Sequence, residues 1–408
     1  MKRDVLFMCQ FFYPEFVSSA LLPYQTAKGL VESGISVDVL CGYPKEYSDS
    51  EKKISSMETI DGINIYRKKY LQLGRKNFIS RLVNYFSFTL VMFLNLFKCR
   101  NYKVLIVYSN PPILPIISVL AKKFFGCKIV FVSYDLYPEI AVNSKILSNG
   151  SLISKTMRFI NKKLFKNVSC VVSLSNDMKQ FIVNNRNVPE NQVTVIPNWA
   201  TETFKEVEAI HNVELKKIKE EFPLIVSYFG NMGTAQDIET LLSVMNNEKI
   251  KNKKIAFIFA GHGNKKEQLK AFIQKNKLTN CFIFDYLKGN DFTEALNISN
   301  LFVVSLAHGI SGLAVPSKTY SYYQAGKPVI AIMDENTDIA LELKSYRAGI
   351  SVKNEDEHGL VKLLLDINND PSIIATMKKN ITKLYEEKYK KDLQLKKYFN
   401  LINNLLEE

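Results

Sequence analysis

Residues 223–237 read PLIVSYFGNMGTAQD. The run Pro223–Phe229 is apolar without alternation, the mark of a strand buried on both faces of a sheet. Gly230-Asn231-Met232-Gly233 then forms a tight loop whose small residues let backbone approach a ligand. A helix beginning near Asp237 would aim its free N–H groups back at that loop, where a diphosphate would be welcome. Strand, glycine loop and helix in this order are the repeating unit of a parallel α/β sheet, in which ligands gather beyond the carboxyl ends of the strands. The spacing is GxxG, not GxGxxG, and no acid follows at dinucleotide distance, which argues against NAD.

The alternation extends in both directions. Downstream, strands are expected at Ile255–Ala260, Cys281–Phe284, Leu301–Ser305, Pro328–Ile332 and Gly349–Val352, with a Lys/Glu-rich helical tail near Ile373–Leu406. Upstream, strands are expected at Val5–Cys9, Ser36–Leu40, Ile63–Arg67, Val104–Tyr108, Ile129–Ser133, Cys170–Leu174 and Val193–Ile196. The intervening patterns predict helices over Ala20–Glu32, Phe78–Lys98, Leu114–Phe125, Leu152–Lys166 and Asp177–Asn185. A polar, charge-rich stretch from Thr201 to Glu221 separates the two series. At 408 residues the chain exceeds one hydrophobic core, so two α/β domains are expected, over residues 1–200 and 201–385.

Charge divides the halves. The net charge is +14, with 54 Lys and Arg against 40 Asp and Glu. Nearly all the excess lies before residue 201, and no acid occurs between Asp61 and Asp135. An ordinary solvated surface would mix signs; a one-signed half suggests an anionic partner. Phe78–Phe97 is a mostly apolar run flanked by Arg75-Lys76 and Lys98, interrupted by Arg81, Asn84 and Asn95. Its length approaches a bilayer span, but Arg81 would be costly at depth, so an amphipathic helix, half core and half interfacial, is preferred, with an ordinary core helix as the alternative. Basic residues beside it would add about 1 kcal/mol each against an anionic membrane surface. RNA-binding signatures are absent, so no nucleic acid is expected. Cys9, Cys41, Cys99, Cys127, Cys170 and Cys281 are scattered singly, without CxxC spacing, as reduced core thiols would be; no metal is expected. Met1-Lys2-Arg3-Asp4 leads straight into the first strand with no visible signal peptide, so the expected setting is the cytoplasm, peripheral on the inner face of the cell membrane.

Several strand-end loops carry chemistry. Ala260-Gly261-His262-Gly263 and Phe284-Asp285-Tyr286-Leu287 follow strands, the second suited to hold a nucleobase. In Gly312–Tyr320, Pro316 suits a first helical turn, placing Ser317 and Lys318 at its positive end. An ammonium fixed there would stabilise charge gathering on a departing diphosphate. In the first half, Asn110-Pro111-Pro112 and Asp135-Leu136-Tyr137-Pro138-Glu139 end adjacent strands. Asp135 and Glu139 are the only acids between Asp61 and Asp177, and are candidates for orienting an acceptor or handling its proton. Tyr13, Ser18 and Ser19, after the first strand, should line the acceptor side.

These motifs in this order resemble GT-B-fold glycosyltransferases of family 4, especially bacterial enzymes that assemble surface polysaccharides. The residues that carry the resemblance are Phe12-Tyr13-Pro14, Asn110-Pro111-Pro112, Asp135–Glu139, Val195-Ile196-Pro197-Asn198, Gly230–Gly233, Val315-Pro316-Ser317-Lys318 and Ala325-Gly326-Lys327-Pro328-Val329. The resemblance implies two Rossmann-like domains facing a cleft, with residues 386–408 as a terminal helix crossing back to the first. It implies retaining, metal-free transfer from a nucleotide sugar, UDP- or GDP-linked, to a polyprenyl-diphosphate-linked saccharide. Catalysis would rest on Asp135, Glu139 and Lys318. Donor contacts would come from Asn198, Gly230, Asn231, Gly233, Gln236, Gly261, His262, Tyr286, Ser317, Lys318, Tyr320 and Ser321, and acceptor contacts from Tyr13, Ser18, Ser19 and Asn110. The chain departs from the family at two usual glutamates, here Leu313 and Ser321, and at a usual Arg and Lys, here Asn231 and Gln236. A sugar-nucleotide epimerase and a silent partner subunit are the competing readings.

Overall fold

The computed structural model describes residues 2–44, 54–74, 78–285 and 287–408. The first sheet holds β1 (Arg3–Cys9), β2 (Val37–Gly42), β3 (Met57–Ile60), β4 (Ile63–Lys68), β5 (Tyr102–Tyr108), β6 (Lys128–Ser133), β7 (Cys170–Ser173) and β8 (Val193–Val195). Its order is β3-β4-β2-β1-β5-β6-β7-β8. The second sheet holds β9 (Leu224–Asn231), β10 (Ile255–His262), β11 (Cys281–Phe284), β12 (Leu301–Ser305), β13 (Val329–Ile332) and β14 (Gly349–Val352), in the order β11-β10-β9-β12-β13-β14. Every pairing is parallel except β3 with β4. The strand Met57–Ile60 has no counterpart in the sequence reading: its side chains alternate exposed and half-buried at the sheet edge, so it lacks the continuous apolar run of the interior strands.

Helices cover both faces of each sheet, so each lobe has two apolar layers. In the first lobe, Leu6, Leu105, Phe131 and Leu164 mark one layer and Phe7, Val39, Ile106 and Val132 the other. The closing helix Lys391–Glu407 belongs to the second of these layers: Tyr398, Ile402 and Leu405 are buried there, and Tyr398 meets the Trp199 ring edge-on at 6.3 Å. Lys128 Nζ donates to the Leu405 carbonyl at 2.8 Å. A helix near the C-terminus is thus part of the N-terminal lobe.

The expected helix over Phe78–Lys98 is a helix at Phe78–Leu94 followed by a 3-10 turn at Leu96–Asn101. Among the described residues no helix is long and apolar enough to cross a membrane. Arg75 and Lys76 lie outside the described residues. All six cysteines are free, five buried and Cys281 half-buried.

The lobes are stitched together by the segment after β12. Leu136 N donates to Leu313 O at 2.9 Å, and Asp135 bridges Ala314 in antiparallel fashion. Gly312 N donates to Asp177 Oδ2 at 2.9 Å, and Asp338 Oδ2 accepts from the backbone N and side-chain amide of Asn176 at 2.7 and 2.9 Å. Leu313 is 1% exposed and packs in the first lobe's core.

Candidate active site

Sheet order decides which loops meet. β1, β5 and β6 are neighbours, so the loops bearing Tyr13, Asn110 and Asp135 share one edge of the first sheet. β10, β9 and β12 are neighbours in the second, which gathers Gly261, Gly230 and Ser305 at its opposing edge. Between them lies a cavity of about 320 Å³ lined by Asp135 and Tyr137 from one lobe and by Gly230, Asn231, Gln236, Ser305, Ser317, Lys318 and Tyr322, among others, from the other. Of the sequence-predicted residues, the structure brings Asp135, Gly230, Asn231, Gln236, Ser317 and Lys318 to this one space.

The glycines set the approach. Gly230 has φ +153°, and a Cβ built on it would stand 3.8 Å from Lys318 Cγ, so the loop and the lysine are direct neighbours. Gly261 has φ +138°, and its Cβ would fall 2.0 Å from Gly230 O. Gly261 therefore serves close packing of β10 on β9, and it is not part of the cavity lining. His262, beside it, is exposed, and its carbonyl accepts from Met232 N at 2.7 Å. Gly233 N donates to Gln236 Oε1 at 3.0 Å, so the Gln236 amide closes the loop on itself.

Both helix starts expected to hold phosphate differ from that expectation. The helix after the glycine loop runs Glu239–Asn246, and the buried Asp237 carboxylate already accepts from Thr240 N at 2.9 Å and Thr240 Oγ1 at 2.7 Å. An anion is therefore built into that terminus. The helix after Lys318, Thr319–Gln324, has six residues and a correspondingly small field. Positive charge at the cavity is thus carried by Lys318 itself. Its ammonium sits 4.8 Å from the centroid of the Phe292 ring and has no ion-pair partner among the described residues. Burial lowers its pKa from 10.5, opposed by the charge of Glu202. A half-buried cation with no carboxylate at ion-pair distance among the described residues is costly until an anion arrives.

Asp135 faces it from the other lobe. Its backbone N and that of Tyr134 both donate to Ser109 Oγ, at 3.1 and 3.0 Å, which fixes the turn after β6. The carboxyl has no hydrogen-bond or ion-pair partner among the described residues, and burial raises its pKa from 3.8 to about 6. A carboxylate poised there is ionised at neutral pH yet basic enough to take a proton.

Other expected contacts fall elsewhere. Glu139 does not reach the cavity: it is ion-paired with Arg186, whose guanidinium lies 5.8 Å from the Phe165 ring and 5.6 Å from Phe181. It braces the loop and is not a second acid in the cleft. Tyr320 is buried against Tyr389, ring centroids 5.2 Å apart, and its hydroxyl reaches the Asn198 backbone. That pair supports the hinge between lobes. Ser321, half-buried in the same short helix, does not line the cavity. Tyr286 lies outside the described residues. Tyr13 stacks on Tyr24 at 4.7 Å, and its carbonyl accepts from buried Arg67 at 2.9 Å. Ser18 and Ser19 open the helix Ser18–Glu32. Asn110 Oδ1 is buried without a partner. These four stay on the first lobe's cleft edge, outside the cavity lining.

Tyr322 and Tyr137, which line the cavity, were not among the contacts expected from the sequence. Tyr322 accepts from Phe229 N at 3.3 Å and donates to Phe229 O at 2.7 Å, anchoring the strand that ends in Gly230. Tyr137 lines the first-lobe wall. Tyr322 sat in a recognised helix and Tyr137 in a recognised motif, but which face each turns to the cleft is a tertiary property. Among the described residues no group of three or more His, Cys, Asp or Glu is placed to hold a metal.

A family model described as Glycosyltransferase Family 4 matches residues 23–201, and one described as Glycosyl transferases group 1 matches residues 211–384. The chain is 26% identical over 315 residues to a probable glycosyltransferase of Pseudomonas aeruginosa, WbjE, with 76% of this chain and 77% of that one covered. It is 22% identical over 386 residues to a chitobiosyldiphosphodolichol beta-mannosyltransferase of Candida glabrata, covering 88% and 82%. Among solved structures, Anabaena HepE in complex with UDP superposes with a TM-score of 0.71 at 11% identity, covering 99% of both chains.

Proposed function

The chain belongs to the GT-B glycosyltransferases of the family 4 and group 1 type, and we propose that within them it moves a hexosyl unit from a UDP- or GDP-sugar to a lipid-linked saccharide. The setting is surface-polysaccharide assembly at the cytoplasmic membrane face. The observation that carries this reading is the pairing of two unpartnered charges, Asp135 from one lobe and Lys318 from the other, on one cavity of about 320 Å³. The names of two similar proteins support it: HepE was solved with UDP, and the Candida glabrata relative is named for a diphosphodolichol-linked saccharide.

In the proposed reaction the acceptor hydroxyl attacks the anomeric carbon on the face from which the nucleoside diphosphate departs, so configuration is retained. The C–O bond to the diphosphate breaks as the bond to the acceptor oxygen forms. Lys318 neutralises charge developing on the leaving diphosphate, an interaction stronger in the transition state than before it. Asp135 orients the acceptor hydroxyl and takes its proton. Asn231 and Gln236, neutral where relatives in the family often carry a cation, leave Lys318 as the one positive side chain lining the cavity among the described residues.

The test is transfer from radiolabelled UDP- and GDP-sugars to lipid-linked saccharide, with the new anomeric centre read by NMR. Asp135→Asn should lower the rate strongly with nucleotide affinity unchanged; a loss confined to nucleotide affinity would remove Asp135 from the acceptor side. Inversion at the anomeric carbon would refute the front-face reaction. An epimerised nucleotide sugar without acceptor, or nucleotide binding without turnover, would refute transfer.

A further inference from the structure

Arg81, Asn84 and Asn95 interrupt the apolar run of the helix Phe78–Leu94 and the turn after it, and the two asparagines are satisfied internally. Asn84 is buried; its amide accepts from Leu73 N at 2.8 Å and donates to Leu73 O at 2.9 Å. Asn95 Nδ2 donates to Val91 O at 2.8 Å. Arg81 differs. Its Nε is buried without a partner, and no ion pair or hydrogen bond satisfies the guanidinium among the described residues. Its Cζ lies 6.0 Å from the centroid of the Phe78 ring. Of the acids on the neighbouring loop, Glu139 is ion-paired with Arg186 and Asp135 makes no ion pair among the described residues.

The surroundings of Arg81 are informative. Phe78, one turn earlier, packs against the small cluster of Ala141, Leu147 and Met157, against which Tyr137 also packs. The Arg81 charge is felt at the Tyr137 hydroxyl, and Tyr137 lines the interlobe cavity. Arg81 thus lies within electrostatic reach of a residue that lines the cavity, without being part of the lining itself. The outward face of the same helix and the turn beyond it exposes Ile79 (74%), Phe86 (66%), Leu94 (72%) and Phe97 (71%), with Phe124 beside Phe97's partner ring Phe125. Residues 79, 86, 90, 93 and 97 recur at helical spacing, so the exposed apolar groups form one stripe.

A stripe that water disfavours, an unpaired guanidinium at its inner end and a sugar-sized cavity beyond are in the order of a lipid-linked saccharide: lipid, phosphate, sugar. We propose that Arg81 binds the phosphate of the acceptor's lipid carrier, with the stripe seated in the membrane leaflet that holds the lipid. This rests on the reading of the acceptor as lipid-linked. A guanidinium suits the task because its planar donor fork meets phosphate oxygens in pairs. The partnerless Nε is the atom that such a bidentate contact would use.

The full-length protein should be sedimented with phosphatidylcholine vesicles containing a few mole per cent undecaprenyl diphosphate, and with vesicles carrying equal charge as phosphatidylglycerol. Wild type should favour the diphosphate lipid by roughly ten- to a hundred-fold, the scale of charged hydrogen bonds. Arg81→Gln should lose that preference while still binding phosphatidylglycerol vesicles, and Arg81→Lys should keep part of it. Phe86→Ser with Leu94→Ser should weaken both. An unchanged melting response to UDP certifies that each variant is folded, and absence of that response in wild type would count against the donor reading separately. No preference in wild type, or a preference that survives in Arg81→Gln, overturns the proposal.

Discussion

Replacing Asp135 by Asn should make the protein more stable and less active. The carboxyl is held among protein groups without a hydrogen-bond partner among the described residues, and its pKa rises from 3.8 to about 6. At about 1.4 kcal/mol for each tenfold change in proton affinity, that corresponds to roughly 3 kcal/mol of disfavoured charge at neutral pH, an upper figure because the group faces a partly open cavity. The sign follows from proton counting. Between pH 3.8 and about 6 the folded chain holds a proton that the unfolded chain has lost, so stability falls as pH rises through that window. Asn has no such penalty. Its advantage over wild type should therefore be small near pH 4, grow toward 6 and level off above. Calorimetry at several pH values reads this directly. A lobe of this size shifts by roughly 2–4 °C per kcal/mol, so the gain at neutral pH should be about 6–12 °C at most. Turnover by wild type should decline as pH falls through about 6, and the Asn variant should be slower by roughly 10²–10⁴-fold. A midpoint equal to or below wild type at neutral pH, or a gain that does not vary across the window, would refute the reasoning.

Leu313→Glu restores the residue type usual in the family but puts a carboxylate into the first lobe's core, where Leu313 is 1% exposed. A loss of more than about 3 kcal/mol is expected in denaturant titration. Gly261→Ala places a Cβ 2.0 Å from Gly230 O at a positive φ; the carboxyl ends of β9 and β10 must part, and calorimetry should show a lower midpoint together with weaker nucleotide binding. Tyr322→Phe removes the hydroxyl that accepts from Phe229 N and donates to Phe229 O. It should cost about 1–2 kcal/mol and raise the KM for the donor, with kcat for the acceptor step less affected.

Much of the fold was legible because interior parallel strands are continuous apolar runs: Val5–Cys9, Ile255–Ala260 and Leu301–Ser305 needed no context. Met57–Ile60 escaped because an antiparallel edge strand alternates and is short. The candidate site was legible to the extent that topology alone decides it. Asp135, Gly230 and Lys318 follow strands whose carboxyl ends face one another, and they meet. What the sequence could not separate was Asp135 from Glu139, four residues on, since Arg186 claims the second from a distant helix. Leu313 is similar. Its departure from the family pattern was visible, but its place as a plug in the opposite lobe depends on how the two cores meet. Asp237 shows the same limit at a helix start, where a local acid occupies an N–H group that looked free for phosphate.

The central claim is that an unpaired ammonium in the second lobe awaits a diphosphate across from Asp135. Isothermal titration of UDP, GDP and their sugars into wild type and Lys318→Ala addresses it most directly. Loss of one charged contact should weaken nucleoside diphosphate binding by roughly ten- to a hundred-fold, leave the nucleoside itself bound equally by both proteins, and abolish transfer. Equal affinity of the two proteins for the diphosphate, or near-normal turnover by Lys318→Ala, would contradict it.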